Sequence, residues 1–321
     1  MTFRTETGTD ILRAKQLLDN EEIIAIPTET VYGLAANAFS EKAINKVYTA
    51  KMRPISNPLI VHVAGKKWIY EVAHEISEKA ELLIEKFMPG PLTLLLPKKK
   101  IVPDIVTSGL PNVAIRLPAH PVANKLLELL DYPLAAPSAN PFGFISPTTA
   151  EHVYSQMSGK IPFILDGGKC TAGIESTIIG FKNDMPVIYR LGSITSSEIE
   201  DVVGPVTINA DTTKTIAPGM LKKHYSPRTP LLLTQDLEQA VNKYAGKKIG
   251  LLTYNSYSPQ LPEKHQIVLG KTTNMSVIAH NLYSAMHTID NGGYDLIIVN
   301  KLPDDGIGKS INDRLTRAST L

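Results

Sequence analysis

Three short stretches of this sequence concentrate residues able to do chemistry on an anion. In the first, Pro27-Thr28-Glu29-Thr30 places hydroxyls and a carboxylate where the apolar run 23–26 ends. In the second, Lys51 and Arg53 flank Met52 ahead of Pro54, and Ser56 and Asn57 lead into the apolar run 59–63, broken only by His62. In the third, Ala136-Pro137-Ser138-Ala139-Asn140-Pro141 continues to Ser146-Pro147-Thr148; prolines restrain the backbone while Ser138, Asn140 and Ser146 offer hydroxyl and amide groups. Arg116 interrupts the run 113–117, and Arg190 closes the run 187–190. Arginine grips carboxylate or phosphate in bidentate fashion, and lysine supplies a compact charge. As a set, Lys51, Arg53, Arg116 and Arg190, with Thr30, Ser138, Ser146 and Ser176 among them, suit a phosphate-bearing substrate. Positioning and charge neutralisation can carry such a reaction without a covalent enzyme intermediate. Each residue also has a plainer reading. Thr28 and Thr30 are ordinary turn residues, Lys51 and Arg53 favour a helix C-terminus, His62 is a core histidine, and 136–148 is a proline-rich loop.

The elements that must position these residues follow from periodicity. Apolar residues at helical spacing predict helices over 9–18, capped by Thr9 or Asp10, over 41–52, and over a long stretch 68–87. Residues 23–26 predict a strand covered on both faces, ending in Pro27. Ligands of open α/β sheets bind outside the carboxyl ends of strands, which makes the following polar residues the place to look. Further strands are predicted at 59–63, 92–96, 113–117, 163–165, 177–180 and 187–190, with a helix at 121–130. Thr148 with Glu151, and Thr195 with Glu198, fit capping boxes. The composition changes over 204–230, where Lys222, Lys223, His224, Tyr225 and Arg228 crowd into a stretch poor in large apolar residues; this reads as an interdomain linker or a solvated basic spacer. Strands at 231–233, 249–253 and 296–299 alternate with helices at 236–244, 275–289 and 311–318, the pattern of a small α/β domain.

A chain of 321 residues with 43% apolar residues has room for two domains. The net charge of +2 excludes a global basic field, and no apolar run approaches a membrane span. The N-terminus is polar, without the apolar core of a signal peptide, so a soluble cytoplasmic protein is expected. The single cysteine, Cys170, excludes an internal disulfide and a cysteine-rich zinc site, and no metal-ligating set stands out. Gly308-Lys309-Ser310 falls short of a P-loop because Pro303 stands where the first glycine belongs. His280 and His287 share a helix face without carboxylates, which reads as packing.

The order and spacing of PTETVYGL at 27–34, Lys51-Met52-Arg53-Pro54 and Ser56-Asn57-Pro58 resemble the YrdC-like family of threonylcarbamoyl-AMP synthases. The KHYSP segment and the closing GIGKSINDRLTRAS extend the resemblance to the longer, two-domain form, over nearly the whole chain. The resemblance implies a YrdC-like twisted open sheet with helices over 1–204, a linker acting as a lid over 205–230, and a smaller Rossmann-like α/β domain over 231–321. It implies condensation of L-threonine, bicarbonate and ATP, with Mg²⁺, into threonylcarbamoyl-AMP and pyrophosphate, for the threonylcarbamoyladenosine modification of tRNA. A direct contact with tRNA or with the enzyme that receives the product is part of that expectation. Thr30, His62, Arg116, Ser176 and the Ala136 backbone would then hold threonine. Arg53, Asn57, Asn112, Ser138, Asn140, Ser146 and Arg190 would hold ATP, with Lys51 at the phosphates and His224 or Tyr225 closing over the nucleotide. Asn112 stands where relatives often carry a hydroxyl residue. Two other readings compete: a carbamoyltransferase of the hydrogenase-maturation kind, which would need acylphosphatase and zinc-finger segments not found here, and a non-catalytic RNA-binding module.

Overall fold

The computed structural model describes residues 4–209, 216–220 and 223–320. Among them one sheet has eleven strands, in the spatial order Glu6–Gly8, Phe163–Leu165, Ile24–Ile26, Gly33–Asn37, Leu134–Ala135, Ile60–His62, Asn112–Arg116, Leu92–Pro97, Thr177–Lys182, Met185–Arg190 and Thr207–Ile208. A second sheet of four parallel strands runs Leu231–Thr234, Leu296–Asn300, Ile249–Thr253, Gln266–Val268. The α/β class expected from the sequence is the observed one.

The large sheet is mixed. Ile24–Ile26 is buried on both faces, as its apolar run dictates, but it lies parallel to Phe163–Leu165 on one side and antiparallel to Gly33–Asn37 on the other. The chain therefore reverses through 27–32 and pairs Ile26 with Gly33. Periodicity did not signal that return strand, because GLAAN lacks the β-branched and aromatic residues that mark strands.

Three expectations need correction. The long helix over 68–87 is two helices, Lys66–Val72 and Glu78–Phe87. Between them Ala73 bridges to Lys98, and His74 donates its backbone N–H to the Pro97 carbonyl; Ser77 then caps the second helix. The helix after the 136–148 loop is capped by Thr149, whose hydroxyl accepts from the His152 backbone, so Thr148 and Glu151 form no capping box. The last helix begins at Gly306, earlier than apolar spacing suggests, because two glycines in its first turn weaken the periodic signal. Thr195 and Glu198 do form a capping box. Within the last helix, Ser310 is buried and donates to the Gly192 carbonyl at 2.8 Å, which makes that segment a joint between the two sheets.

The joint is extensive. Val31, Ile145 and Ile174 from the large-sheet side share one apolar cluster with Tyr225, Ile278 and Tyr283. His287 stacks on His152 with ring centroids 4.0 Å apart, and His280 contacts the Thr171 carbonyl. Gly173 lies in the left-handed region (φ +77°) against the helix backbone, where an added Cβ would stand 2.4 Å from the His280 Cα. Gly173→Ala should therefore cost about 1–3 kcal/mol from backbone conformation, before the clash is added; a thermal melt within one degree of the parent would contradict this reading of the seam.

Candidate active site

One face of the large sheet carries the site, and strand alternation decides which residues reach it. Ile60 and His62 lie on the same face of their strand, as do Ala114 and Arg116 of the neighbouring parallel strand; His62 and Arg116 are register partners. Ile60, Leu95, Ala114 and Ile178 on this face are covered by Ala217 and Met220 of the linker, so residues 216–220 roof this part of the sheet. Sequence reasoning placed it at strand ends, and His62, Arg116 and Arg190 do end their strands, with the side chains meeting on the sheet face. Arg190 reaches it through a β-bulge between Ile188 and Arg190. Simple alternation would send Arg190 into the main core with Ile188, and the extra residue turns it toward Ser176.

The turn after Ile24–Ile26 is built on Thr28. Its hydroxyl accepts from the backbone N–H groups of Thr30 and Val31 and donates to the Val31 carbonyl. That staple sets Thr30, which accepts a 2.8 Å hydrogen bond from Arg116 Nη1. Arg116 Nη2 lies 2.7 Å from Glu29 Oε1, in ion contact but without an aligned hydrogen bond, and both Glu29 oxygens and Arg116 Nε lack hydrogen-bond partners. His62 Nδ1 faces the Ile60 carbonyl at 3.1 Å; burial, then the Arg116 charge, push its pKa down to about 3. The imidazole is thus neutral, and with Nδ1 donating, Nε2 is left as an acceptor.

The other cations are held by neutral oxygens. Arg53 donates to the Asn57 and Pro58 carbonyls and the Asn57 side chain, and stacks over Phe142. Burial lowers its pKa to about 10. Arg190 donates to the Ser176 carbonyl and hydroxyl and to the Pro218 carbonyl. Lys51, in the last turn of Glu41–Lys51, donates to the carbonyls of Ser138 and Asn140. Burial, then Arg53, holds it well below the ordinary lysine range.

These groups enclose a cavity of about 50 Å³, lined by Thr30, Arg53, His62, Arg116, Ala136, Ser138, Arg190, His224 and Tyr225 from the predicted set. The remaining predicted residues stand off it. Lys51 clamps the 138–140 loop from behind, and Asn57 braces Arg53. Ser176 is buried between Thr93 and Arg190, and the Asn140 amide donates to the Pro141 and Phe144 carbonyls. Ser146 donates to Glu175, and Asn112 opens the strand that Arg116 ends. From the linker, Gly219 (φ +84°) lies so close that a Cβ would meet the Tyr225 hydroxyl at 2.8 Å. Lys222 and residues 210–215 lie outside the described residues.

Sequence reasoning missed Glu29, Glu175 and Arg314 as site residues. Glu175 lines the cavity and receives Ser146, Tyr283 and Arg314 Nε, the last at 2.8 Å. Burial alone would raise its pKa; Arg314 and Arg190 overcome that and hold it at about 2. Arg314 is wholly buried, comes from the last helix and lies over the Tyr225 ring. No local pattern signals this pair, because its members are 139 positions apart.

Residues 16–192 match the Sua5/YciO/YrdC family model, described by the words telomere recombination. Residues 194–320 match the threonylcarbamoyl-AMP synthase C-terminal domain. The chain belongs to the threonylcarbamoyl-AMP synthase family. It is 41% identical over 315 residues to the threonylcarbamoyl-AMP synthase of Pyrococcus abyssi, covering 93% of this chain and 90% of that protein. It is 39% identical to the one of Bacillus subtilis, covering 96% and 92%. A crystal structure of P. abyssi Sua5 complexed with L-threonine superposes with a TM-score of 0.90 at 38% identity, covering 99% of this chain and 98% of that chain. This member of the family has no helix among its described residues long and apolar enough to cross a membrane.

Two outcomes follow for this synthase-family site. Replacing Arg314 by Met leaves Glu175 buried without its counter-charge, and denaturant titration should register a loss of about 3–5 kcal/mol. His62, His224 and His287 are each pushed to about 3, chiefly by burial. The unfolded chain binds these protons near pH 6.5 and the folded chain only near 3, so their contribution to stability is complete above about pH 6.5 and shrinks as pH falls. Melting temperatures should be level above about pH 7 and drop progressively from about pH 6 to 5, as the unfolding free energy falls by up to ~1.4 kcal/mol per pH unit for each imidazole. A flat profile across that range would mean these imidazoles are not held neutral.

Proposed function

We propose that this chain is an L-threonylcarbamoyladenylate synthase, a nucleotidyltransferase of the cytoplasm that feeds threonylcarbamoyladenosine formation in tRNA. The observation that carries the reading is the gathering of Arg53, Arg116 and Arg190 around one roofed cavity, in a fold that superposes end to end on a threonine-bound relative. In the proposed reaction the amine of L-threonine and bicarbonate give a carbamate and water. A carbamate oxygen then attacks the α-phosphorus of ATP, and pyrophosphate leaves.

Two anions have to meet in that step, so the site must be cationic where they meet. Arg116, with Thr30, takes the threonine carboxylate; the Ala136 backbone and Ser176, which is buried against Arg190, complete the threonine set, and the free Nε2 of His62 accepts from the amino acid. Arg53, braced by Asn57, and Arg190 take the triphosphate, with Ser138, Asn140, Ser146 and Asn112 toward the nucleoside. Lys51 is near the phosphates, held ready by the 138–140 carbonyls. No side chain need act as a nucleophile; the gain lies in preorganised charge. Mg²⁺ enters with the triphosphate as part of the substrate. The carboxylates nearest the cavity, Glu29 and Glu175, are each committed to an arginine, so no protein ligand set is assigned to it.

A cavity of about 50 Å³ has room for no more than a few water-sized molecules. ATP therefore enters only when the linker lifts, which makes 205–230, with His224 and Tyr225, a lid between a catalytic domain over 1–204 and a C-terminal domain over 231–321. Contact with tRNA or with the enzyme that receives the product falls outside the cavity.

The test is pyrophosphate release from ATP and bicarbonate, with L-threonine omitted in one arm and replaced by serine in another. Release should require threonine and fall by about 10²-fold or more in Arg53→Ala and Arg116→Ala. ATP turnover indifferent to threonine, or tight salt-sensitive RNA binding without turnover, would overturn the reading in favour of a carbamoyltransferase or an RNA-binding module.

A further inference from the structure

The charges around the cavity are not evenly shared. Lys51, Arg53 and Arg190 donate to carbonyls, a hydroxyl and an amide oxygen, and none forms an ion pair among the described residues. Glu175 lines the cavity but is engaged by the buried guanidinium of Arg314. Arg116 alone among the four cations has its own carboxylate, Glu29, at 2.7 Å. The Glu29 side chain is buried, its carboxylate accepts no hydrogen bond from any described group, and it has no second cation in contact. Its other titratable neighbours, His120 and Cys170, are kept uncharged by burial, which lowers the imidazole pKa and raises the thiol to about 12. The Arg116 end of the cavity is therefore close to neutral, while the Arg53 and Arg190 end keeps its full positive charge.

We propose that Glu29 is a specificity-determining positioning residue. By neutralising Arg116, it reserves that end for a singly charged amino-acid carboxylate and steers polyphosphate to the unpaired cations at the other end. The inference rests on the synthase reading and extends it to a residue that touches no substrate. The chemistry demands such a device. Threonine, carrying one carboxylate, shares a small cavity with ATP and pyrophosphate, which carry several charges each. A row of equally unpaired cations would favour the polyanion everywhere, because each added charge strengthens its attraction in a desolvated site. Arg116 beside Glu29 lines the cavity with Thr30 and keeps Nε without a hydrogen-bond partner, so it can meet a carboxylate by directed donation. What it lacks is surplus charge to hold a polyphosphate.

Equilibrium dialysis of labelled L-threonine against the full chain, with and without inorganic pyrophosphate, tests this without requiring turnover. In the parent protein, pyrophosphate should leave the threonine Kd unchanged within about twofold. In Glu29→Gln, which keeps size and removes charge, pyrophosphate should raise the apparent threonine Kd about tenfold or more, in a competitive pattern. Glu29→Asp should restore the parent behaviour. Glu29→Gln that binds threonine more weakly but remains indifferent to pyrophosphate would reduce Glu29 to a structural role and overturn the inference. Competition between the two ligands already in the parent protein would overturn it as well, and that arm stands even where the Gln variant does not fold. A parent protein that fails to bind threonine at all would instead sink the synthase reading.

Discussion

Burying positive charge away from water is the constraint to which the rest of this structure answers. Lys51, Arg53, Arg116 and Arg190 are nearly inaccessible, and a desolvated cation without compensation costs several kcal/mol. The compensation here is mostly dipolar. The turn over 53–58, the 138–140 loop and the start of Thr177–Lys182 all aim backbone carbonyls at guanidinium or ammonium groups. Irregular backbone in these places is thus a requirement of the charge arrangement, since carbonyls already spent in a sheet ladder are poorly placed to turn toward a side chain. The prolines of 136–148 hold such carbonyls without the entropic cost that a flexible loop would carry.

The second sheet extends the same logic across the seam. Arg314 supplies the charge that Glu175 needs, and its guanidinium lies over the ring of Tyr225, which stacks on Tyr283. Through Glu175 the C-terminal helix touches Ser146, and through Ser310 it touches Gly192. The walls of the cavity are consequently not all made by the sheet that carries the cations. Glu175 and Tyr225, which line the cavity, are held by Arg314 of a helix that begins more than a hundred residues beyond Arg190.

Local signatures were legible in the sequence; long-range pairings were not. PTETVYGL, the Lys51–Arg53 pair and the 136–148 loop could be recognised because each is a contiguous run whose residue types are unusual for its surroundings. Arg116 and Arg190 stood out as charges interrupting apolar runs. By contrast, Gly33–Asn37 lacks the β-branched and aromatic residues that mark strands, so the chain reversal that creates the Thr28 turn was invisible. Ala217 and Met220 gave no warning that the linker packs onto the sheet, since apolar spacing over so short a stretch carries no period. Glu29 was visible as a residue and missed as a function, because its meaning depends on which arginine folds back against it. Three of the four strands of the small second sheet were legible for the opposite reason, since parallel α/β units repeat an alternation that a single sequence displays openly; the edge strand Gln266–Val268 is three residues long and was missed.

The bulge between Ile188 and Arg190 has a consequence for how this strand can vary. Side chains alternate with a period of two, so the bulge is a parity change: residues before and after it count from different faces. Insertion of one residue before Tyr189 would keep every residue of the strand, yet present Tyr189 where Arg190 now stands and turn the guanidinium into the apolar core. Substitutions along Met185–Ile188 leave the register in place, whereas an insertion at this point acts as a switch of identity at the site. A chain of this fold can therefore lose its chemistry through one added residue while every original amino acid is unchanged.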